Sequence, residues 1–113
     1  MSADCLFCKI AAKQIPAKLV HEDAEVFAFE DIHPQAPAHI LVCPKKHFAS
    51  LAEATAAEQE ILGKVALVAA KIAKERNFAS YRTVMNTGSG AGQTVFHLHM
   101  HLLAGRQFHW PPG

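Results

Sequence analysis

The chain has 113 residues, 50% of them hydrophobic, which suits one compact domain able to bury a core. Its 11 basic and 10 acidic residues leave a formal charge of +1 with no block of either sign, which argues against a nucleic-acid stripe or a polybasic membrane patch. No run approaches a membrane span, MSADCLFCKI lacks the charged start and long apolar stretch of a signal peptide, and three cysteines cannot all pair within one chain, so a cytoplasmic protein with reduced cysteines is expected.

In chain order, a short helical turn near the N-terminus comes first. AKLVHED and EVFAFED then read as short strands, joined through Glu22, Asp23 and Ala24 by a tight hairpin connection. DIHPQAPAH contains Pro34 and Pro37, which forbid regular pairing and mark a loop, and HILVCPKK is an apolar strand that Pro44 ends. TAAEQEILGKVALVAAKIAKERN opens with Thr55 and Glu58 at capping-box spacing and carries Ile61, Val65, Val68 and Ile72 at helical intervals, so it is the one long helix. A second ridge, Leu62, Ala66, Ala69 and Ala73, makes its apolar arc wider than one sheet contact requires. YRTVMN is a further strand, followed by the loop TGSGAGQT. The expected fold class is α+β, an antiparallel sheet with one long helix in a single domain over residues 1–113.

VFHLHMHLL, Val95 to Leu103, places three of the chain's eight histidines at alternate positions. On a strand that spacing turns His97, His99 and His101 to one face and Phe96, Leu98, Met100 and Leu102 to the other, whereas a helix would scatter them. The ordinary accounts of such a row are the solvent side of an edge strand, or imidazoles satisfied within a core. Three in alternation directly behind a glycine-rich loop argue against both. A shared metal ion is the sharper rival, because imidazole is a common metal ligand. At about 3.4 Å per residue the outer Cα atoms lie about 14 Å apart, too far for three rings to converge on bonds of about 2.1 Å, so one or two could ligate but not all three.

Phosphate chemistry fits the row better. A neutral imidazole can attack phosphorus while a neighbouring one stabilises phosphoryl charge or donates to the leaving group. In NTGSGAGQT, Gly88, Gly90 and Gly92 permit positive φ and let backbone amides approach an anion. The loop could equally be an ordinary hairpin connection, since it matches neither a Walker loop nor a dinucleotide fingerprint. Its junction with the histidine strand favours the phosphate cradle. Cys43 in its apolar strand reads as a small buried residue, His21 and His33 as surface, and His109 takes no role.

HLHMHLL resembles the signature of the histidine-triad family. The likeness runs through CLFCKIAAKQIPAK, FEDIHPQAPAHILVCPKKH and GAGQTVFHLHMHLLAGRQFHWPPG, nearly the whole chain. The closing GRQFHWPPG and the PQAPAH segment are similar to the nucleotide-binding branch called Hint, rather than to the dinucleoside polyphosphate hydrolases or uridylyltransferases.

That resemblance implies a HIT-like fold, a symmetric homodimer, and a purine nucleoside phosphoramidase that splits P–N bonds of AMP- or GMP-type substrates without a catalytic cofactor. No nucleic-acid or membrane partner is implied. By position in the motif, His99 would be the nucleophile; His101 would contact the phosphate and help protonate the departing amine; His97 and His39 would orient and polarise the nucleophile. Asn86, Gly92, Gln93 and Thr94 match phosphate-side positions, with Thr94 standing where many relatives have Ser, while Phe29, Asp31 and Ile32 would sit at the ribose and base. The tail, residues 105–113, would reach toward the partner's site and present Trp110 there. Some members of the superfamily carry a structural zinc. A CxxC alone can be a redox or incidental pair, but Cys5 and Cys8 with His47 and His97 form a closed Cys₂His₂ set, in which His97 would serve the metal rather than the substrate. A non-enzymatic nucleotide-binding module and a zinc-dependent hydrolase are the alternative functions.

Overall fold

Alternation along the strands decides which layer each side chain joins. The computed structural model describes residues 4–113. Its elements are helix α1 (Leu6–Ala11), strands β1 (Leu19–Glu22), β2 (Val26–Glu30) and β3 (Ala38–Pro44), helix α2 (Gln59–Glu75), and strands β4 (Arg82–Val84) and β5 (Met100–Ala104). The strands form one antiparallel five-stranded sheet in the order β1-β2-β3-β5-β4. The α+β class and the single long helix are as the sequence indicates.

Val26, Ala28, Ile40, Val42 and Leu102 point to one face, where α2 covers them with Val65, Val68, Ala69, Ile72 and Ala73. Phe27, Phe29, Leu41 and Cys43 point to the other, where α1 covers them with Phe7, Cys8 and Ile10. α1 is only six residues long, so its ends matter. Cys5 Sγ accepts from the Cys8 amide at 3.2 Å, and Lys13 at φ 64° lets the Gln14 amide close back on Lys9 O at 2.9 Å.

The hairpin between β1 and β2 is held by Asp23, whose Oδ1 accepts from the amides of Glu25 and Val26 at 2.8 and 2.9 Å. Lys64 on α2 donates to Asp23 and Glu25 at 3.1 and 3.0 Å and fastens the hairpin to the helix. The capping box forms, with the Thr55 amide donating to Glu58 at 2.7 Å, but it caps a 3₁₀ turn, Ala56–Glu58, that then runs into α2. Among the described residues no helix is long and apolar enough to cross a membrane.

The histidine segment departs from a uniform strand. β5 pairs with β3 only from Met100 to Ala104. Before that point the Leu98 amide donates to Phe48 O at 2.8 Å and the His97 ring donates to Pro44 O at 2.7 Å, so the chain follows the loop beyond β3 instead of the ladder. The alternation is kept only in part: Leu98 and Leu102 are buried in the apolar interior and His97 and His99 both pack against Phe7 of α1, but Phe96, expected on the apolar face, is exposed because the backbone there has left the ladder.

Candidate active site

On the α1 face lies a cleft of about 500 Å³. Its apolar wall is Leu6, Phe7, Ile10, Ile15, Phe29 and Leu41, and its polar end carries Asp31, Thr94, His99 and His101. His101 reaches this face because it sits opposite Leu41 in the β3–β5 register, between Val84 on one side and the β2–β3 pair on the other. Ile32 stands at the mouth, 86% exposed. The wall supplied by α1 and Ile15 carries no signal of its own in the sequence beyond apolarity. Phe7 has the closest link to the chemistry, its ring centroid 5.0 Å from that of His99 in edge-on contact.

The hydrogen bonds determine which ring nitrogen carries each proton. His99 Nδ1 lies 2.7 Å from His97 O, and a carbonyl only accepts, so Nδ1 bears the hydrogen and Nε2 keeps its lone pair. The opposite holds along the neighbouring pair. The Gln35 amide donates to His39 Nδ1 at 3.0 Å, so His39 carries its hydrogen on Nε2 and donates it to His101 Nδ1 at 2.8 Å. His101 therefore bears its own hydrogen on Nε2. The two rings, 5.0 Å apart between centroids, thus offer a lone pair at His99 and an N–H at His101.

Burial keeps these rings neutral. It lowers His99, with the His97 carbonyl and Asp31 opposing, and it lowers His39, with Asp31 opposing. It pushes His101 down to about 4, helped by His99 and His39 and opposed by Asp31. Asp31 itself lies 3.5 Å from His39 Nε2 through Oδ2 and holds the His33 amide at 2.8 Å through Oδ1.

Behind Phe7, four side chains converge. Cys5 Sγ and Cys8 Sγ lie 3.3 and 3.5 Å from His97 Nδ1, Cys8 Sγ lies 3.4 Å from His47 Nδ1, and the two Nδ1 atoms are 3.1 Å apart. His97 is fully buried, and its Nε2–H is given to Pro44 O, so Nδ1 turns a lone pair toward the two sulfurs and the second imidazole. A tetrahedral zinc, with bonds of about 2.3 Å to sulfur and about 2.1 Å to nitrogen, holds its ligand atoms roughly 3.3–3.8 Å apart. The four atoms come close to that spacing, the donor types suit zinc, and the Pro44 carbonyl orients one ligand ring from behind. The set could hold a metal ion. None of the three cysteines is in a disulfide. Burial raises the Cys43 thiol well above its ordinary range, in keeping with a core residue.

The remaining predicted residues are distributed around this core. Thr94 lines the cleft, whereas Asn86, Gly92 and Gln93 lie beyond its lining, Asn86 beside Gly92. Gly92 has φ 97° and Gly88 φ 87°, the left-handed backbone that the loop requires. Gln93 is buried, and its side chain is used within the protein: it accepts from the Gly88 amide at 2.8 Å and donates to Ala49 O and Val95 O at 2.7 and 3.1 Å. It braces the loop rather than pointing at the cleft. His39 meets His101 and not His99, and His97 reaches His99 through its main-chain oxygen. Trp110 is 84% exposed and takes no part in lining the cleft of its own chain.

A sheet with one long helix, carrying alternate histidines where its last strand begins, beside a glycine loop, defines the class. The HIT domain family matches residues 12–108, and the chain belongs to the HIT family. It is 53% identical to an uncharacterised HIT-like protein of Synechococcus elongatus over 114 residues, covering 100% of both chains. It is 52% identical to protein HitA of Neisseria gonorrhoeae over 101 residues, covering 88% of this chain and 94% of that one. Among solved structures, a HIT family hydrolase from Legionella pneumophila superposes with a TM-score of 0.95 at 48% identity, covering 97% of this chain and 100% of that one. A histidine triad protein from Clostridium difficile superposes with a TM-score of 0.93 at 47% identity, covering 96% of each.

Proposed function

We propose that the protein is a hydrolase that cleaves the P–N bond of purine nucleoside 5′-phosphoramidates, of the AMP or GMP type, through a nucleotidyl–His99 intermediate. One observation carries the reading: His99 turns a lone pair and His101 an N–H to the same end of an apolar cleft that has a carboxylate, Asp31, along its side. The Legionella relative's description as a hydrolase supports the coarse class.

In this reading the base lies against Phe29, Leu41, Ile32 and the α1 wall, and Asp31 accepts from the ribose hydroxyls. The Thr94 hydroxyl and main-chain amide hold the phosphate where the loop meets the cleft, while the Gly88, Ala91, Gly92 and Gln93 amides are bonded within the loop that Asn86 and Gly92 shape and Gln93 braces from beneath. His99 Nε2 attacks phosphorus, the P–N bond breaks, and the departing nitrogen takes the Nε2 hydrogen of His101 and leaves as the amine, a hydrogen that His101 regains from the water of the next step. Water then attacks phosphorus and frees His99. Over the cycle one water is consumed, its oxygen ending on phosphorus and its hydrogen on the amine.

Zinc held by Cys5, Cys8, His47 and His97 would cross-link α1 to the sheet and take no part in the reaction, because a four-ligand set leaves no open position. That favours the histidine mechanism over a zinc hydrolase. His97 then serves His99 only through its carbonyl. The active form is taken to be a homodimer in which residues 105–113 reach the partner's cleft. The test is incubation with adenosine 5′-phosphoramidate with and without chelator: AMP release unaffected by short exposure to chelator is expected, and quenching in denaturant without acid should leave nucleotide on the peptide containing His99. Binding without AMP release would make the protein a nucleotide-binding module instead.

A further inference from the structure

We propose that Arg106 is a positioning residue for His101, acting through the backbone of Gln35; this rests on the donor role given to His101 above. The proton polarity of the His39–His101 pair depends on the Gln35 amide. With that amide on His39 Nδ1, His39 must donate to His101, and His101 presents N–H to the cleft. Without it, the pair can reverse: His39 takes its hydrogen on Nδ1, His101 donates back through Nδ1, and its cleft nitrogen becomes a lone pair. Neutral imidazole has no strong preference between its two tautomers, so one hydrogen bond is enough to choose.

Gln35 lies in the exposed loop between Pro34 and Pro37, where regular pairing is forbidden, so its position has to be held from outside. Arg106 Nε donates to Gln35 O at 2.9 Å. The guanidinium is itself held in place, 4.3 Å over the Phe108 ring, which Arg82 of β4 approaches within 5.2 Å, and Arg82 also donates to His109 O at 3.1 Å. The two segments are forced together one residue earlier: Gly105 has φ 99°, and any Cβ there would sit 2.8 Å from Pro37. The start of the tail is therefore a clasp on the loop that orients the proton pair.

The test uses full-length protein, wild type, Arg106→Ala and Arg106→Lys, labelled with ¹⁵N-histidine. Nitrogen shifts of His101 in wild type should report hydrogen on Nε2. In both variants they should move toward a mixture, because lysine keeps the charge but neither the Nε donor nor the flat stack. Turnover of an alkylamine phosphoramidate should fall by about 5-fold, the worth of one hydrogen bond, while the p-nitrophenyl ester of AMP, whose leaving group needs no proton, is spared. General damage to the site would slow both. Unchanged shifts in Arg106→Ala, equal losses on both substrates, or wild-type behaviour of Arg106→Lys would each overturn the proposal. Failure of wild type to hydrolyse either substrate would instead overturn the phosphoramidase reading, with the nitrogen shifts still deciding whether Arg106 sets the polarity.

Discussion

At the scale of single residues, the site separates four histidines by what their second nitrogen touches. His99 and His97 each give a ring hydrogen to a main-chain carbonyl, whereas His39 and His101 are linked to each other and to the Gln35 amide. The expected losses follow that division. His99→Ala should abolish turnover yet keep AMP affinity, because Thr94 and Asp31 remain; His101→Ala should slow turnover about 10²–10⁴-fold, the usual worth of one proton-transfer group. Steady-state kinetics beside calorimetric AMP titration checks both. Burial also links these rings to stability. The folded-state value of His101 is about 4 against an ordinary 6.5, and His39 is lowered too, so the unfolded chain binds more protons between those limits. Their contribution is fully present above about pH 6.5 and is lost as pH falls toward 4. Melting curves should show Tm declining through that window, and His101→Gln should make the decline shallower.

At the scale of elements, α1 is too short to be stable alone and is held by its docking. The Cys₂His₂ set is its strongest anchor in this reading, which predicts that Cys5→Ser with Cys8→Ser lowers Tm and abolishes bound metal. Metal analysis of both proteins purified without added zinc checks it, and negligible zinc in each would remove the idea. Legibility from sequence divides along the same line. Thr55 with Glu58, the Val65–Ile72 ridge and the prolines around β3 act locally, so their elements were readable. The α1 wall of the cleft was not, because six residues give too little periodicity to aim a face. Nor was the polarity of His39 and His101, which rests on a main-chain amide that leaves no mark in residue type. Residues 95–99 misled in a specific way: alternation predicted a strand throughout, but the backbone bonds at Leu98 and the ring bond at His97 go to Phe48 and Pro44, which no periodicity can reveal.

At the scale of the whole molecule, the outer face of α2 leaves Leu67 72% exposed, and the tail leaves Trp110 84% exposed, both large apolar surfaces for one chain to turn to water. Burial in a symmetric homodimer is the expected remedy. Light scattering should give twice the 12.3 kDa chain mass at micromolar concentration, and Leu67→Glu should shift it toward one. Removing residues 108–113 should change substrate preference if the tail serves the neighbouring cleft, and a truncated protein with unaltered preference would detach the tail from that role. One contact reaches further. Cys5 and His97 meet although they lie 92 positions apart in the chain, so the wall and the chemistry of the cleft come from opposite ends of the polypeptide. During synthesis the first of these segments leaves the ribosome long before the second exists. No nascent fragment can own a working cleft, and a chain released early is inert from the start rather than partly active.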